Sequence, residues 1–255
     1  MDRKVDINCD IGEGFGAYKL GSDEEIMPHI SSANIACGFH AGDPLYMRRT
    51  VRLAEAAGVG IGAHPGLPDL MGFGRREMMI SPDEAGDYVT YQIGALHAFT
   101  RTKKLQHVKP HGALYTMGVR NEELARAVAE AVRDVDPDLM RVAMAGSLWI
   151  KVGRELGLRV AREAFADRSM SPDGTLVPRN HPGAVISDVD EVVARVLQIV
   201  IEGKVTAING EEVEMAADTI CLHGDTPGAA DLAQTLRQRL QAAGVTIVPM
   251  GAFCE

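Results

Sequence analysis

Seven ionisable residues stand at or near the ends of short apolar runs: Asp10, His40, His64, Lys109, His111, Glu163 and His223. Carboxylates, imidazoles and an ammonium do acid–base work, or grip an anion, once folding brings them together. Their placement follows a rule. A parallel strand buried on both faces should be apolar throughout, yet here one face turns polar toward the C-terminal end of run after run. In the first run Asp6, Asn8 and Asp10 share a face by period two, with Val5, Ile7 and Cys9 on the other. His107, Lys109 and His111 share a face in the same way, and Glu163 lies two residues from Phe165 and four from Asp167. An ionised or imidazole group entering a barrel interior is costly unless paired or functional. Each position also has a plainer reading: Asp6 as a group satisfied at the barrel bottom, His107 as a core histidine, and Asn8 as either.

His107 and His111 have the H-x-x-x-H spacing that chelates a metal from a helix. Pro110 opposes a helix there, and along a strand the two lie roughly 13 Å apart, so this pair is rejected as a chelate. If a divalent metal is held, His40, His64 and His223 are the set that separate strands can converge on it. Gly12–Ala17 formally fits G-x-G-x-x-A. A dinucleotide site needs a helix at once and an acid ending the next strand; here the helix signal waits for Ser22 and the next run ends in His40. The glycines therefore read as a mobile loop close to a ligand, with Gly38, Gly60 and Gly62 leaving room beneath it. No G-x-x-x-x-G-K-[ST] stretch occurs, which excludes a P-loop. Arg75, Arg76 and Arg168 suit carboxylate or phosphate recognition, although a surface salt bridge accounts better for Arg76.

The elements that must position these residues are an alternation of short runs and longer periodic segments. Strands are expected at Val5–Cys9, Ala33–Phe39, Val59–Ala63, Leu105–His111, Arg141–Ala145, Leu158–Ala164 and Thr219–His223, with Val245–Met250 a candidate eighth. Strands alternating with helices imply β/α units and a parallel sheet. The fold class is therefore α/β, a TIM-like (β/α) barrel with seven strands favoured, whose ligand site lies at the C-terminal ends of the strands. Ser22 with Glu25 and Ser81 with Glu84 fit capping boxes. Asp43-Pro44, Ser81-Pro82 and Thr226-Pro227 fit helix starts, and Gly58, Gly157, Gly203 and Gly244 fit helix stops. Lys204–Ile208 and Glu211–Met215 read as a hairpin around a two-residue Asn209-Gly210 turn. The Pro- and Gly-rich segment 168–187 reads as a lid or binding loop. Residues 1–255 show no composition shift and are expected to form one domain.

Bulk properties set the outer limits. A chain of 255 residues with 46% hydrophobic and 24% charged residues can bury an ordinary core. A net charge of −9 opposes binding to phosphate backbones, so no nucleic-acid partner is expected. Cys9, Cys37, Cys221 and Cys254 form no C-x-x-C pair and read as reduced thiols of a cytoplasmic protein. The first residues lack an apolar core of the kind signal peptides carry, and no run is long enough for a membrane span.

Eight stretches together resemble the LamB/YcsF family: Asp6–Gly16 (DINCDIGEGFG), Ala33–Asp43 (ANIACGFHAGD), Ile61–Pro65 (IGAHP), Gly72–Arg76 (GFGRR), Val108–Tyr115 (VKPHGALY), Glu163–Arg168 (EAFADR), Leu176–Arg179 (LVPR) and Cys221–Asp225 (CLHGD). The likeness runs from residue 5 to about 250. Gly14 departs from it, standing where serine is common in the family, a change expected to matter little. The resemblance implies a seven-stranded barrel similar to polysaccharide deacetylases and glycoside hydrolase barrels. It also implies the A component of a three-part 5-oxoprolinase, working with the B and C subunits to turn 5-oxoproline, ATP and water into glutamate, ADP and phosphate. In that frame Asp10 or Glu163 is the general base and His40, His64 or His111 a proton shuttle. Lys109, Arg75 and Arg168 hold a carboxylate or phosphate, and Glu13, Asp167 and Asp225 complete the substrate-binding set. Two other readings are a metal-dependent deacetylase of N-acyl sugars, which rests on barrel likeness alone, and a non-catalytic component that presents substrate to its partners.

Overall fold

The computed structural model describes residues 3–224 and 228–254. The expected helix start at Thr226-Pro227 and the site candidate Asp225 lie outside the described residues. Seven parallel strands form the ring: β1 (Arg3–Ile11), β2 (Ser32–Ala36), β3 (Gly60–His64), β4 (His107–Val108), β5 (Met140–Met144), β6 (Val160–Phe165) and, after the hairpin strands β7 (Lys204–Thr206) and β8 (Glu212–Glu214), β9 (Thr219–His223). Pairing of β1 with β9, from Asp6↔Thr219 to Asp10↔His223, closes the barrel. The candidate eighth strand, β10 (Val245–Ile247), pairs only with Arg3–Val5 at the start of β1 and adds no place to the ring.

Period two sorts the side chains as expected. Val5, Ile7, Cys9 and Ile11 belong to the apolar layer packed under the helices, while Asp6, Asn8 and Asp10 turn inward. β4 is the shortest of the ring strands, because Pro110 has no amide hydrogen to donate. Parallel bonding nevertheless continues on either side of it, from Gln106 N to Ile61 O and from Lys109 N to Ala63 O. β2 stops three residues before the expected Phe39, since Gly38 takes φ +96 and turns the chain toward His40.

Helix signals hold with one exception. Ser81 and Glu84 form a full capping box, and Asp43 accepts from the amides of Leu45 and Tyr46. Ser22 makes no side-chain cap bond; the helix after it, Asp23–Ile26, is a single turn that tightens at once into the 3-10 segment Met27–His29. The expected two-residue hairpin turn is in fact a three-residue loop. Gly210 N bonds Ala207 O, Ala207 N bonds Glu211 O, and Gly210 takes the left-handed conformation that a bulged type I turn requires. Among the described residues no helix is long and apolar enough to cross a membrane, and all four cysteines are free thiols, three of them buried.

The barrel floor is polar and buried. Asp6 is fully buried and accepts from Ser31, Ser32 and Thr219 hydroxyls. Burial outweighs these bonds and pushes its carboxyl up from the ordinary 3.8 to about 6. Since the folded value exceeds the unfolded one, the folded chain holds this proton more tightly. The associated stability is complete below about pH 4 and is lost as pH rises through 6. Relative to an Asp6→Asn variant, the natural chain should therefore gain about 2 kcal/mol on acidification from pH 7 to 4. Urea denaturation of both proteins across that range checks this; a pH-independent difference would refute it.

Candidate active site

Lys109 leaves the end of β4 and enters the barrel interior, 2% exposed. Its ammonium lies 2.9 Å from Asp10 Oδ1, 2.9 Å from Glu163 Oε1 and 2.9 Å from Cys221 Sγ, with Asn8 Oδ1 at 3.3 Å. Burial alone would lower its pKa, but Asp10, Cys221 and Glu163 reverse this and hold it well above the ordinary lysine value. Lys109 is therefore a fixed cation. Burial likewise favours a protonated Asp10, yet the His64 ring beside it and the Lys109 ammonium prevail and keep its carboxyl well below the usual range. Glu163, fully buried, spends Oε1 on Lys109 and Asn8 and Oε2 on the Tyr115 hydroxyl at 2.8 Å. Asp10 keeps one oxygen, Oδ2, directed at His64 Nε2, 3.4 Å away.

A hydrogen-bond chain from the side of the barrel orients Asp10. Gln106 Nε2 donates to His107 Nδ1 at 3.1 Å, and His107 Nε2 donates to Asn34 Oδ1 at 2.7 Å. Asn34 Nδ2 then donates to Asp10 Oδ1 at 2.8 Å and to Asn8 Oδ1 at 2.7 Å. His107 thus occupies the core, its pKa lowered to about 3 chiefly by burial and then by Lys109. Gly60 and Gly62 do not make room for a ligand, as their small size suggested. A Cβ on Gly62 would fall within the His107 ring and one on Gly60 against Gln106, so their space is already taken by those two side chains.

Three imidazoles gather above Asp10. His64 Nδ1 donates to Lys109 O at 2.7 Å, and His111 Nε2 donates to Phe73 O at 2.8 Å. Their other nitrogens face each other at 3.0 Å, with the rings at 87°. His40 stacks on His111 at 3.7 Å, 5° from parallel, and meets Glu13 Oε1 at 3.2 Å. Burial is the first cause holding both His40 and His111 well below the ordinary histidine value. Glycine admits this packing at two points, since a Cβ at Gly66 or Gly74 would lie 2.6 Å from His40 atoms.

Two loops hold the cluster. The segment 12–16, expected to be mobile, is tied down: Gly12 N donates to Asp23 at 3.0 Å, Gly16 N to Asp43 at 2.8 Å, and Gly42 N to Gly14 O at 3.0 Å. These bonds place Glu13 over the histidines, 4% exposed. A Cβ at Gly14 would meet the outer end of the Tyr46 side chain. The loop 69–76 is clamped by Asp69, which Arg76 and Gly72 hold at a pKa of about 2. Arg76 is thus the salt-bridge partner anticipated for it. Within that loop Phe73 takes φ +54, uncommon for a residue with a Cβ, and in that position aims its carbonyl at His111. Arg75 lies over the Phe73 ring, 4.9 Å from its centre.

His223 belongs to a separate group. Its Nδ1 donates to Asp167 at 2.9 Å and its Nε2 accepts from Arg179 at 3.1 Å. The expected set His40–His64–His223 does not come together as one group: His40 and His64 meet His111 and Glu13, while His223 lies with Asp10 and Cys221. Asp167 stays low in pKa despite burial, because His223 and Arg179 favour its charge. Arg168 turns into its own loop and donates to Val177 O at 2.6 Å and Ala184 O at 3.2 Å, pinning the segment 168–187. Arg179 and Tyr115 touch the site but were not singled out as site residues. Both end stretches that carried the family resemblance, Leu176–Arg179 and Val108–Tyr115, and that was the available signal.

Removing the central cation should be severe, since it strands two buried carboxylates. Lys109→Met is expected to cost about 3–5 kcal/mol, and Glu163→Gln in the same chain should restore part of the loss. Thermal and urea unfolding of the single and double variants measure this, and a Lys109→Met protein as stable as the natural one would contradict it.

Comparison with known proteins agrees with this architecture. The LamB/YcsF family model matches residues 5–255. A Pyrococcus furiosus protein, named as the A subunit of 5-oxoprolinase, is 57% identical over 254 residues, covering 99% of this chain and 100% of its own. The crystal structure of a lactam utilization protein from Thermus thermophilus superposes with a TM-score of 0.91 at 50% identity, covering 96% of this chain and 99% of that one. A peptidoglycan N-acetylglucosamine deacetylase shares the fold alone, with a TM-score of 0.53 at 11% identity over 98% of this chain and 87% of its own.

Proposed function

This chain belongs to the LamB/YcsF family, and we propose that it is the A component of an ATP-dependent 5-oxoprolinase that opens the lactam of 5-oxoproline to glutamate. Relatives named as that component of 5-oxoprolinase match over almost their whole length, and a lactam utilization protein shares the fold at half-identity. The observation that carries the reading is the meeting of Asp10, Lys109 and three imidazoles at the C-terminal mouth of the barrel, where barrels of this kind bind ligands.

A five-membered lactam is a poor electrophile. ATP, used by the enzyme assembled with its B and C subunits, would activate it by phosphorylating the ring oxygen, so that water can attack the ring carbon. In this chain Asp10 Oδ2 accepts the proton of that water. Its other oxygen is fixed by Lys109 and Asn34, which sets the direction of the free lone pair. Glu163 is already saturated by Lys109, Asn8 and Tyr115, so it positions Lys109 rather than acting as the base. Arg75 at the lip and Arg179, bonded to His223, bring guanidinium groups to hold the substrate carboxylate or the phosphate. Without a P-loop in the sequence, nucleotide contacts are assigned to the assembly as a whole. The four free thiols suit a cytoplasmic enzyme.

A coupled glutamate assay on the complete three-component assembly tests the assignment. Asp10→Asn should lower kcat by about a thousandfold or more, within the range for losing a positioned base, while assembly by size-exclusion chromatography stays intact. Unchanged turnover in that variant would remove Asp10 as the base. Absence of glutamate from the natural assembly would remove the function itself.

A further inference from the structure

The paired imidazoles at the barrel mouth have more acceptors than donors. His64 has given its Nδ1 hydrogen to Lys109 O, and His111 has given its Nε2 hydrogen to Phe73 O. In the neutral rings, His64 Nε2 and His111 Nδ1 therefore carry bare lone pairs, and these face each other at 3.0 Å. Such a contact is repulsive unless a cation or a proton lies between the nitrogens. The rings stand at 87°, so one point can lie in both ring planes, as ligation by imidazole requires. Glu13 Oε1 closes the set, 3.5 Å from His111 Nδ1. Ligands about 2.0–2.1 Å from a tetrahedral zinc ion are separated by about 3.3–3.4 Å, close to both observed spacings.

We propose that His64 Nε2, His111 Nδ1 and Glu13 Oε1 form a binding site for one divalent transition-metal ion of the zinc class. Two imidazoles and a carboxylate leave a fourth position open, the arrangement of a catalytic rather than a structural site. The surrounding groups have the character of a metal site's outer layer, each ligating ring donating its second N–H to a carbonyl. His40 lies within 4.8 Å of the other three groups but is not a fourth ligand. Its ring is parallel to that of His111 at 3.7 Å, so a single ion cannot lie in both planes. Instead His40 Nε2 donates to Glu13 Oε1 and fixes the carboxylate. Asp10 Oδ2, 3.4 Å from His64 Nε2, borders the open position, where it would meet a water or lactam oxygen on the ion. The inference deepens the reading of this mouth as the reaction site, but its test uses metal alone and needs no turnover.

The experiment loads the full-length, chelator-stripped chain with Zn2+ by calorimetry and with Co2+ by visible absorption. One equivalent of each should bind, with strong low-symmetry Co2+ bands that Zn2+ abolishes. His64→Gln and His111→Gln should each weaken binding by about a hundredfold or more, and His40→Gln by about 10–100-fold as an outer partner. The exposed His97→Ala should bind as the natural chain does. Proton NMR of the Co2+-loaded natural chain needs no variant: it should show two strongly shifted exchangeable imidazole N–H signals. Failure of the folded natural chain to bind either ion saturably would overturn the site and leave a shared proton between His64 and His111. Equal affinity in the natural chain and both glutamine variants would overturn it as well.

Discussion

A lysine ammonium buried in the throat of a parallel barrel is tolerable only because carboxylates reach it from two other strands. Lys109 meets Asp10 on β1 and Glu163 on β6, each at 2.9 Å. Desolvating any one of these charges alone would cost several kcal/mol; together they compensate one another. The strand register makes this possible. Asp10 stands level with His223 and Glu163 level with Thr219, with Cys221 between those two positions on the closing strand β9. The same charges keep Lys109 protonated and Asp10 ionised, while burial first and Lys109 second keep His107 neutral.

Around this centre the barrel is filled by polar side chains where most barrels stack branched apolar ones. The donors run in one direction, from Gln106 through His107 and Asn34 to Asp10, and each acceptor has its hydrogen supplied. Such a network is rigid when fully satisfied, and it leaves Asp10 one defined free lone-pair direction. The apolar packing that offsets its cost lies outside the ring. Ile7, Ile35, Ala63, Val108, Ala143, Ala164 and Ile220 all belong to the continuous layer beneath the helices.

The mouth combines this rigid floor with loops fixed by carboxylates. Asp23, Asp43 and Asp69 each spend their oxygens on backbone amides or an arginine, which makes scaffold out of segments that would otherwise move. The result is two neighbouring polar groups, the imidazole cluster with Glu13 and the Asp167–His223–Arg179 relay.

The sequence by itself determined the barrel and the polar end of its strands, because period two and the β/α alternation are local properties that the chain carries wherever it folds. It also marked Asp10, His40, His64, Lys109, His111, Glu163 and His223 as residues entering one interior. What it left undecided was who meets whom. That His111 rather than His223 joins His40 and His64, that Gly62 shelters His107 rather than a ligand, and that Arg168 serves its own loop are outcomes of register, ring rotation and the closure of β9 on β1. Those depend on contacts between residues far apart in the chain. Spacing along the chain fixes which face of a strand a side chain occupies, but only three-dimensional packing fixes the partner it finds there.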